Sequence, residues 1–213
     1  MFLGVIEFRY NGYMRSNPSM KLASGNIILI GMMGSGKTTV GKLLAKTLHK
    51  TFRDSDDEIQ QRTGVTIPHI FDVEGEAGFR VRETAALEDL LRLRDIVLAT
   101  GGGAPLSQQN RDRISESGIV VYLKSSVHDL WQRTRHDQNR PLLQTADPRA
   151  KLQTLYEQRD PLYASIADIV IHTGKQSVQV LLARLQERLA EYRAAHLSET
   201  ERIFHADADR RPG

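Results

Sequence analysis

Residues 31–38 read Gly-Met-Met-Gly-Ser-Gly-Lys-Thr, which fits the phosphate-binding loop pattern G-x-x-x-x-G-K-[ST] without a mismatch. Its glycines let the backbone curl until several N–H groups point at phosphate oxygens at the start of a helix. Lys37 is suited to the β- and γ-phosphates of a nucleotide, and Thr38 offers a hydroxyl to Mg²⁺. The loop therefore predicts binding of a nucleoside triphosphate.

The segments on both sides of this loop have the pattern that the motif requires. Residues 26–30 are an apolar run rich in β-branched side chains. Apolar residues recur at helical spacing after the loop, namely Val40, Leu43, Leu44, Ala45 and Leu48. Because a strand, the loop and a helix follow one another, we expect a true phosphate site and not a chance match in a glycine-rich turn.

The composition limits the partners of the protein. The chain has 213 residues, and its net charge of +3, from 29 basic and 26 acidic residues, is too small to favour nucleic acid. It has no cysteine, which excludes disulfide bonds and thiolate metal sites and fits a reducing compartment. No apolar run approaches the roughly 20 residues of a membrane span. We therefore expect a cytoplasmic protein that binds neither nucleic acid nor membranes.

Three parts are expected along the chain. Residues 1–24 begin with an apolar stretch that charges interrupt too early for a signal peptide, and then continue as polar coil, so they predict a flexible extension. Residues 25–196 alternate short apolar runs with helical patterns and form the predicted domain. Residues 197–213 mix charges with few apolar side chains, which predicts a disordered tail.

The alternation within the domain predicts an α/β fold. The predicted strands are residues 26–30, 51–54, 95–100, 118–123 and 168–172. Helices lie between them, including two separate ones at residues 67–71 and 76–92. Right-handed crossovers then give a parallel sheet that is covered on both faces and binds ligands at the carboxyl ends of its strands.

A phosphate-binding loop usually works with an acidic residue at the end of a nearby strand. The strand at residues 95–100 ends in glycines, so the acid must come from elsewhere, and Asp54 and Asp56 are the candidates. A spacing of two places both carboxylates on one side of an extended chain, where one can reach the metal shell while the other faces an acceptor. Asp57 is expected only to open the next helix, where the helix dipole favours its charge.

Gly101, Gly102 and Gly103 follow the strand that lacks an acid. Backbone without side chains at a strand end lets a ligand approach closely and leaves N–H groups free to bind it. A tight turn is the alternative, but one or two glycines would be enough for it. Three glycines in succession therefore favour a binding site.

Five arginines are candidates for anion binding. Arg80 and Arg159 lie on predicted helices beside opposite charges, so a surface ion pair is the simpler interpretation of each. Arg133, Arg135 and Arg140 lie in or beside a polar stretch that has the composition of a mobile flap. An arginine there could close over a transferring phosphate and stabilise the charge on its oxygens, whereas a solvated loop is the alternative.

Six motifs in this order resemble the shikimate kinase family. They are the loop at 31–38, Phe-Arg-Asp-Ser-Asp at 52–56, Phe-x3-Gly-Glu-x2-Phe-Arg at 71–80, Thr-Gly-Gly-Gly at 100–103, Arg-Pro-Leu-Leu at 140–143 and Arg-x-Pro-Leu-Tyr at 159–163. The resemblance covers about residues 26–189 and leaves both tails outside. No position that is expected to carry chemistry departs from the family pattern.

The resemblance implies a fold and an activity. The fold is a three-layer P-loop kinase fold, as in nucleoside monophosphate kinases, with a five-stranded parallel sheet of order 2-3-1-4-5 and a mobile lid at about residues 133–149. The activity is ATP-dependent phosphorylation of the 3-hydroxyl of shikimate, with Mg²⁺ as cofactor, a step of chorismate and aromatic amino-acid biosynthesis. We expect a monomer whose partners are these two small-molecule substrates.

The resemblance also implies two sets of binding residues. The expected ATP-binding residues are Gly34, Ser35, Gly36, Lys37, Thr38, Thr39, Arg133 and Arg140. The expected shikimate-binding residues are Asp56, Arg80, Gly101, Gly102, Gly103 and Arg159. Within these sets, Arg133 would pack on adenine, while Arg80 and Arg159 would hold the shikimate carboxylate.

Catalysis and metal binding are implied for fewer residues. Lys37, Asp56 and Arg140 would be catalytic, with Arg140 reaching both substrates from the lid. Thr38 would bind Mg²⁺ directly, and Asp54 would bind it through water. Asp56 would either deprotonate the attacking hydroxyl or only orient it, because a loose phosphoryl-transfer transition state does not require a strong base.

Two other functions compete with this one. A kinase for another polyhydroxy acid such as gluconate would share the loop, but the Asp-x-Asp, arginine and glycine motifs speak against it. A catalytically silent nucleotide-binding module would be expected to lack Lys37, Asp56 or Arg140, and all three are present.

Overall fold

The computed structural model describes residues 9–10, 13–14, 18–137, 140–174 and 176–208. Near the start of the chain, β1 (Arg9–Tyr10) pairs with β2 (Tyr13–Met14) as a short antiparallel ladder. This pair is separate from the main sheet, which carries the candidate site.

The main sheet consists of five parallel strands. They are β3 (Ile27–Ile30), β4 (Thr51–Asp54), β5 (Ile96–Ala99), β6 (Ile119–Ser125) and β7 (Ile169–Thr173). Their order across the sheet is β4-β5-β3-β6-β7, which is 2-3-1-4-5 when these five strands are counted along the chain. The predicted parallel sheet and its strand order are therefore confirmed.

Helices cover both faces of this sheet. Those in the described segments are α1 (Pro18–Ser24), α2 (Lys37–Thr47), α3 (Ser55–Thr63), α4 (Ile67–Leu90), α5 (Gln108–Ser117), α6 (Val127–Thr134), α7 (Pro148–Ile166) and α8 (Val178–Ala208). Short 3₁₀ turns lie at Ala104–Leu106 and Pro141–Leu143. Within the described residues, no helix has both the length and the apolar character needed to cross a bilayer.

The apolar core has two layers because successive strand residues point to opposite faces. On one face, Ile28 and Leu98 pack in a core to which α4, α5, α6 and α7 contribute. On the other face, Ile27 and Val97 pack against side chains of α2 and α8. The three central strands, β5, β3 and β6, are thus buried on both sides, and the strand ends are the places left for ligands.

The two helices predicted at residues 67–71 and 76–92 form one kinked element, α4. The kink is at Gly75, whose φ of 68° and ψ of −176° are not helical. Glycine adopts positive φ without the steric cost that a Cβ brings, so the chain changes direction here without a loop. The hydroxyl of Thr66 caps the start of α4 by accepting from the backbone N–H of His69 at 3.4 Å.

The prediction of a flexible extension over residues 1–24 does not hold for residues 18–24. These form α1, which packs on α5 and α8. Lys21 is only 4% exposed and forms an ion pair with Asp168, with Nζ and Oδ2 2.7 Å apart. Composition could not reveal this contact, because the two partners are 147 positions apart in the sequence. Most of the remaining extension lies outside the described residues.

The prediction of a disordered tail over residues 197–213 does not hold for residues 197–208. Helix α8 continues to Ala208, whereas disorder was expected from residue 197. Leu, Glu, Arg and Ala, which are good helix formers, are frequent in this segment, so its charged character does not prevent a helix. Residues 209–213 lie outside the described residues.

Candidate active site

The phosphate-binding loop joins the carboxyl end of β3 to the first turn of α2, as predicted. Gly34 and Gly36 have φ values of 77° and 97°, which L side chains rarely adopt, and Gly36 is the N-cap residue of α2. A Cβ at Gly34 would lie 2.6 Å from Cγ2 of Thr134, so close packing requires this glycine as well. The loop can therefore curl around an anion at the helix N-terminus.

Lys37 is half-buried at the base of the loop. Its Nζ donates to the carbonyl oxygens of Gly31 and Met32 at 2.8 and 2.9 Å. Burial lowers the pKa of Lys37 to about 8, although the carboxylates of Asp56 and Asp54 act in the opposite direction. A bound phosphate would place more negative charge beside the ammonium and would favour its protonated form.

Two oxygen donors suited to a hard cation lie beside the loop. Oγ1 of Thr38 donates to Oδ2 of Asp54 at 2.8 Å. The other carboxylate oxygen of Asp54 accepts from the backbone N–H of Asp56 at 3.0 Å and so caps α3. Hydroxyl and carboxylate oxygens are the ligands that Mg²⁺ prefers in proteins. Thr38 and Asp54, the two residues for which the resemblance implies Mg²⁺ binding, are thus in direct contact.

The structure has a cavity beside the phosphate-binding loop, the cleft, which Lys37, Thr38 and Asp54 line. Asp56 lines both this cleft and a second cavity next to it. Its Oδ1 is buried and has no hydrogen-bond partner among the described residues. Burial, together with the nearby carboxylates of Asp54 and Glu83, raises the pKa of Asp56 to about 7, although Lys37 and Arg140 act in the opposite direction. A buried carboxyl group with a pKa near neutrality can orient a hydroxyl and accept its proton.

The second cavity, called the acceptor cavity below, combines an apolar wall with two guanidinium groups. The rings of Phe71 and Phe79 form the apolar wall, with their centroids 4.8 Å apart. Arg80 and Arg159 lie on its lining together with the backbone of residues 101–103. Such a lining fits a small anion that carries an apolar ring face.

Arg80 reaches the acceptor cavity from α4 and is held by two glutamates. Its Nη1 pairs with Oε2 of Glu83 and its Nη2 with Oε1 of Glu76, both at 2.7 Å. The ion pair expected from local spacing therefore exists, but its Glu83 partner is buried, so this is not a simple surface pair. The two glutamates fix the plane of the guanidinium against the cavity.

Arg159 reaches the same cavity from α7. It is 2% exposed, and its Nη1 donates to the carbonyl oxygen of Gly102 at 3.3 Å. Its buried Nε has no hydrogen-bond partner in the described part of the chain. A surface ion pair is thus the wrong interpretation of Arg159, because its guanidinium is buried against backbone and lines a cavity.

Charged side chains pack closely against Gly101 and Gly103 of the glycine triplet. A Cβ at Gly101 would lie 2.5 Å from Oε1 of Glu83 and 2.8 Å from Oδ1 of Asp56. A Cβ at Gly103 would lie 2.1 Å from Nη1 of Arg80. Side chains at these positions would displace the charged groups of the cavity, whereas a binding role for the triplet stays a prediction.

Two buried side chains that the sequence analysis did not single out support this arrangement. Glu83 contacts Arg80, and burial raises the pKa of its carboxyl group. The hydroxyl of Ser55 accepts from the backbone N–H of Gly101 at 2.7 Å and connects the start of α3 to the glycine triplet. Glu83 could have been found from its spacing of three from Arg80. Ser55 stands in the motif at residues 52–56, but its contact cannot be predicted locally, because its partner is 46 positions away.

Two of the flap arginines line the cleft of the loop. Arg133 donates to the carbonyl oxygens of Gly34 and Gly174 at 3.2 and 3.1 Å. Arg140 lines both cavities, and its Nε donates to Oδ2 of Asp137 at 2.9 Å. Arg135 is exposed and lines neither cavity.

The predicted residues thus converge at the carboxyl ends of β3, β4 and β5. Ser35 differs from the others, because its side chain is buried and lines neither cavity. A phosphate-binding loop on this fold, joined to an acceptor cavity by a buried carboxyl group and an arginine, defines a P-loop kinase for small molecules.

Comparison with known proteins specifies the kinase. The family model described as "Shikimate kinase" matches residues 33–190. The chain therefore belongs to the shikimate kinase family. It is 59% identical over 169 residues to the shikimate kinase of Nitrosospira multiformis, covering 79% of this chain and 87% of that protein. It is 55% identical over 174 residues to that of Chromobacterium violaceum, covering 82% and 95%.

Solved structures agree with this membership. Shikimate kinase from Acinetobacter baumannii in complex with shikimate is 48% identical, with a TM-score of 0.76 over 78% of this chain and 93% of that one. The enzyme from Bacteroides thetaiotaomicron is 33% identical, with a TM-score of 0.71 over 78% and 98%. A gluconokinase from Sinorhizobium meliloti, 20% identical with a TM-score of 0.52 over 86% and 97%, shares the fold alone.

Proposed function

We propose that the protein transfers the γ-phosphoryl group of ATP to the 3-hydroxyl of shikimate, giving shikimate 3-phosphate and ADP. The observation that carries the proposal is that Arg80, Arg159 and Asp56 line one cavity beside the phosphate-binding loop. Arginine binds a carboxylate through two parallel hydrogen bonds, and a buried carboxyl group suits hydroxyls, so the lining matches a polyhydroxy ring acid. The shikimate complex of the 48% identical Acinetobacter baumannii enzyme supports this acceptor. The reaction is a step of chorismate and aromatic amino-acid biosynthesis.

On the donor side, the loop backbone and Lys37 bind the phosphates of ATP in this proposal. The loop contributes Gly34, Ser35, Gly36, Lys37, Thr38 and Thr39. Arg133 packs on the adenine, which is supported by its position between the carbonyl oxygens of Gly34 and Gly174 at the edge of the cleft. Ser35 contributes through its backbone, because its side chain is buried.

Mg²⁺ fits the oxygen donors beside the loop. Thr38 would hold the ion directly and Asp54 through water, and their contact at 2.8 Å supports a shared role. When bound, Mg²⁺ would neutralise charge on the β- and γ-phosphates. The N-cap bond from Asp56 to Asp54 keeps the carboxylate turned toward Thr38 without the ion.

On the acceptor side, the ends of shikimate are held by different groups. Arg80 and Arg159 hold the carboxylate, and the backbone of residues 101–103 lines the cavity that receives the ring. Asp56 orients the 3-hydroxyl toward the loop and accepts its proton as the bond to phosphorus forms. Its position on both cavities supports this role, because the reacting oxygen must lie where the two cavities meet.

Arg140 completes the site in this proposal. It lines both cavities, so its guanidinium is within reach of a phosphoryl group that passes from one to the other. Positive charge at this point stabilises the transition state, in which charge is spread over the phosphoryl oxygens. A lid at about residues 133–149 would close over the substrates and exclude the water that otherwise hydrolyses ATP.

A coupled assay of ADP release tests the proposal with shikimate, with gluconate and with no acceptor. We expect turnover only with shikimate and a phosphorylated 3-hydroxyl in the product, identified by ³¹P NMR. Equal ADP release in all three reactions would indicate a plain ATPase. Turnover with gluconate but not with shikimate would mean that gluconate is the acceptor. No ADP release in any reaction would indicate a silent nucleotide-binding module.

We further propose a monomer in the cytoplasm, where ATP is available, with a kinase domain over residues 18–196. This domain adds α1 to the predicted range of 25–196, which is supported by the buried ion pair of Lys21. Sedimentation equilibrium tests the oligomeric state, and cell fractionation tests the location. A chain of residues 18–196 that retains full activity would support the domain boundaries.

A further inference from the structure

Tyr163 is a buried tyrosine to which the proposed reaction gives no role. It lies on α7, one turn after Arg159, and is 1% exposed. Its hydroxyl donates to the carbonyl oxygen of Gly102, which also accepts from Nη1 of Arg159 at 3.3 Å. Residues four apart lie on the same face of a helix, so both side chains reach one backbone oxygen of the glycine triplet.

The same hydroxyl also touches the phosphate-binding loop. Its oxygen lies 3.6 Å from Sδ of Met32, a buried loop residue. The carbonyl oxygen of Met32 in turn accepts from Nζ of Lys37 at 2.9 Å. One phenol group therefore contacts the donor side of the site through Met32 and the acceptor side through Gly102.

The shared carbonyl oxygen of Gly102 links Tyr163 to the orientation of Arg159. A carbonyl oxygen has two lone pairs, and here one donor comes from the tyrosine and one from the arginine. Without the tyrosine hydroxyl, only Arg159 of these two side chains would donate to the carbonyl oxygen of Gly102. Its guanidinium would then move closer to that oxygen. Burial raises the pKa of Tyr163 above its usual range, so the hydroxyl keeps its proton and stays a donor.

We propose that Tyr163 is a positioning residue for acceptor binding. Its hydroxyl holds Gly102 and Arg159 in place against the phosphate-binding loop, so that the guanidinium of Arg159 points into the acceptor cavity. The proposal rests on the proposed function, because it assigns Arg159 to the carboxylate of shikimate. It differs from a purely structural role, since it predicts a change in acceptor affinity and not only in stability.

Tyr122, which lies on β6, provides a matched control. It is also 1% exposed, and its ring centroid lies 5.1 Å from that of Tyr163. Its hydroxyl donates to Oδ1 of Asp160, on α7, at 2.6 Å. Neither tyrosine lines a cavity, but the partner of Tyr163, Gly102, lines both cavities and Asp160 lines neither. Tyr163→Phe and Tyr122→Phe thus each remove one hydroxyl of a buried tyrosine, and only the first removes one that bonds a residue of the site.

The experiment measures steady-state kinetics of full-length wild type and both variants, together with calorimetric titration of shikimate without nucleotide. For Tyr163→Phe we expect the KM and Kd for shikimate to rise about fivefold, the size of one lost hydrogen bond, with the KM for ATP within about twofold. For Tyr122→Phe we expect an unchanged KM and Kd for shikimate, and a fall in Tm similar to that of Tyr163→Phe. An unchanged Kd for shikimate in Tyr163→Phe, or equal changes in both variants, would overturn the proposal.

A double-mutant cycle tests whether Tyr163 acts through Arg159. In an Arg159→Ala background, Tyr163→Phe should not lower kcat/KM for shikimate further, whereas an additive loss would contradict action through the arginine. Wild type separates the two proposals. If wild type fails to phosphorylate shikimate, the proposed function is wrong; if it succeeds but the variants behave alike, only the role of Tyr163 is wrong.

Discussion

Asp56 and Lys37 are oppositely charged residues, and burial moves the pKa of each toward neutral pH. The pKa of Asp56 is raised to about 7 and that of Lys37 is lowered to about 8, each despite attraction by the other. Both groups can therefore respond to the charges that ATP and Mg²⁺ bring. The site relies on positioned charges in a buried setting, where electrostatic interactions are stronger than in water.

Asp56→Asn should abolish phosphoryl transfer and leave ATP binding nearly intact. The amide keeps the size of the side chain but cannot accept the hydroxyl proton, so kcat should fall at least about 100-fold. Asp56 is not a contact of the loop phosphates in our proposal, so the Kd for ATP should change less than about twofold. Single-turnover kinetics and calorimetric titration with a non-hydrolysable ATP analogue measure the two quantities. A comparable loss of nucleotide affinity would contradict the acceptor-side assignment of Asp56.

The same residue should make stability depend on pH. Because the pKa of Asp56 rises from 3.8 to about 7 on folding, the folded protein holds a proton that the unfolded chain has released between these values. This contribution to stability is complete below about pH 4 and is lost as the pH rises through about 7. The stability of Asp56→Asn relative to wild type should therefore increase between about pH 5 and 8, by on the order of 3 kcal/mol.

Urea unfolding of both proteins at about pH 5, 6, 7 and 8 measures this difference. Titrating groups that do not interact with Asp56 are common to both proteins and cancel in the comparison. Lys37 is the exception, because the variant removes a carboxylate that raises its pKa. A difference in unfolding free energy that stays constant across this range would show that Asp56 titrates normally in the folded protein.

Arg80→Ala should weaken shikimate binding selectively. Loss of a charged hydrogen-bond donor should raise the KM for shikimate about tenfold or more, with little change in the KM for ATP. Arg82→Ala is the control, because Arg82 lies on the same helix and pairs with Glu74 away from both cavities. If the KM for shikimate is unchanged in Arg80→Ala, Arg80 does not belong to the carboxylate site.

At the scale of the elements, the segment between α6 and α7 should control the rate of phosphoryl transfer, because it carries Arg140. Arg140→Ala removes the guanidinium that lines both cavities, so kcat should fall on the order of 100-fold to 1,000-fold. Stability should change little, because the ion pair of Arg140 with Asp137 is partly exposed. Stopped-flow measurement of ADP formation at saturating substrates tests this expectation.

Arg135→Ala is the control for the same segment. Arg135 is exposed and lines neither cavity, so its removal should leave kcat within about twofold. Equal losses in both variants would mean that the segment acts through its net charge and not through one positioned arginine.

The elements that could be predicted from sequence are those whose requirements are local. Strand β3, the phosphate-binding loop and α2 follow one another within 21 residues and carry their own pattern. Asp54 and Asp56 were found because the loop needs an acid and β5 ends without one. Ser55 and Tyr163 stand inside two of the six motifs, but the sequence predicts no role for them, because their partners, Gly101 and Gly102, are 46 and 61 positions away. Only the packed helices and sheet bring such residues together.

Across the whole molecule, Asp168 ties the N-terminal helix to the central sheet. Nζ of Lys21 donates to both carboxylate oxygens of Asp168 at 2.7 Å, and the backbone N–H of Val120 donates to Oδ2 at 2.8 Å. Asp168 directly precedes β7, and Val120 belongs to β6, so α1 is joined to two strands. This is a long-range contact far from the site, and it concerns stability and not catalysis.

Lys21→Ala should lower the free energy of unfolding by about 3 kcal/mol without changing either KM, because it leaves the carboxylate of Asp168 buried and without its ionic partner. Lys50→Ala is the control: Lys50 pairs with Asp95 at 2.7 Å, but the Asp95 side chain is 77% exposed, so the loss should be below about 1 kcal/mol. Urea unfolding measures both variants, and the coupled assay checks their kinetics. Equal losses would mean that α1 adds no more than a surface contact, whereas the expected difference would place residues 18–24 inside the cooperative fold.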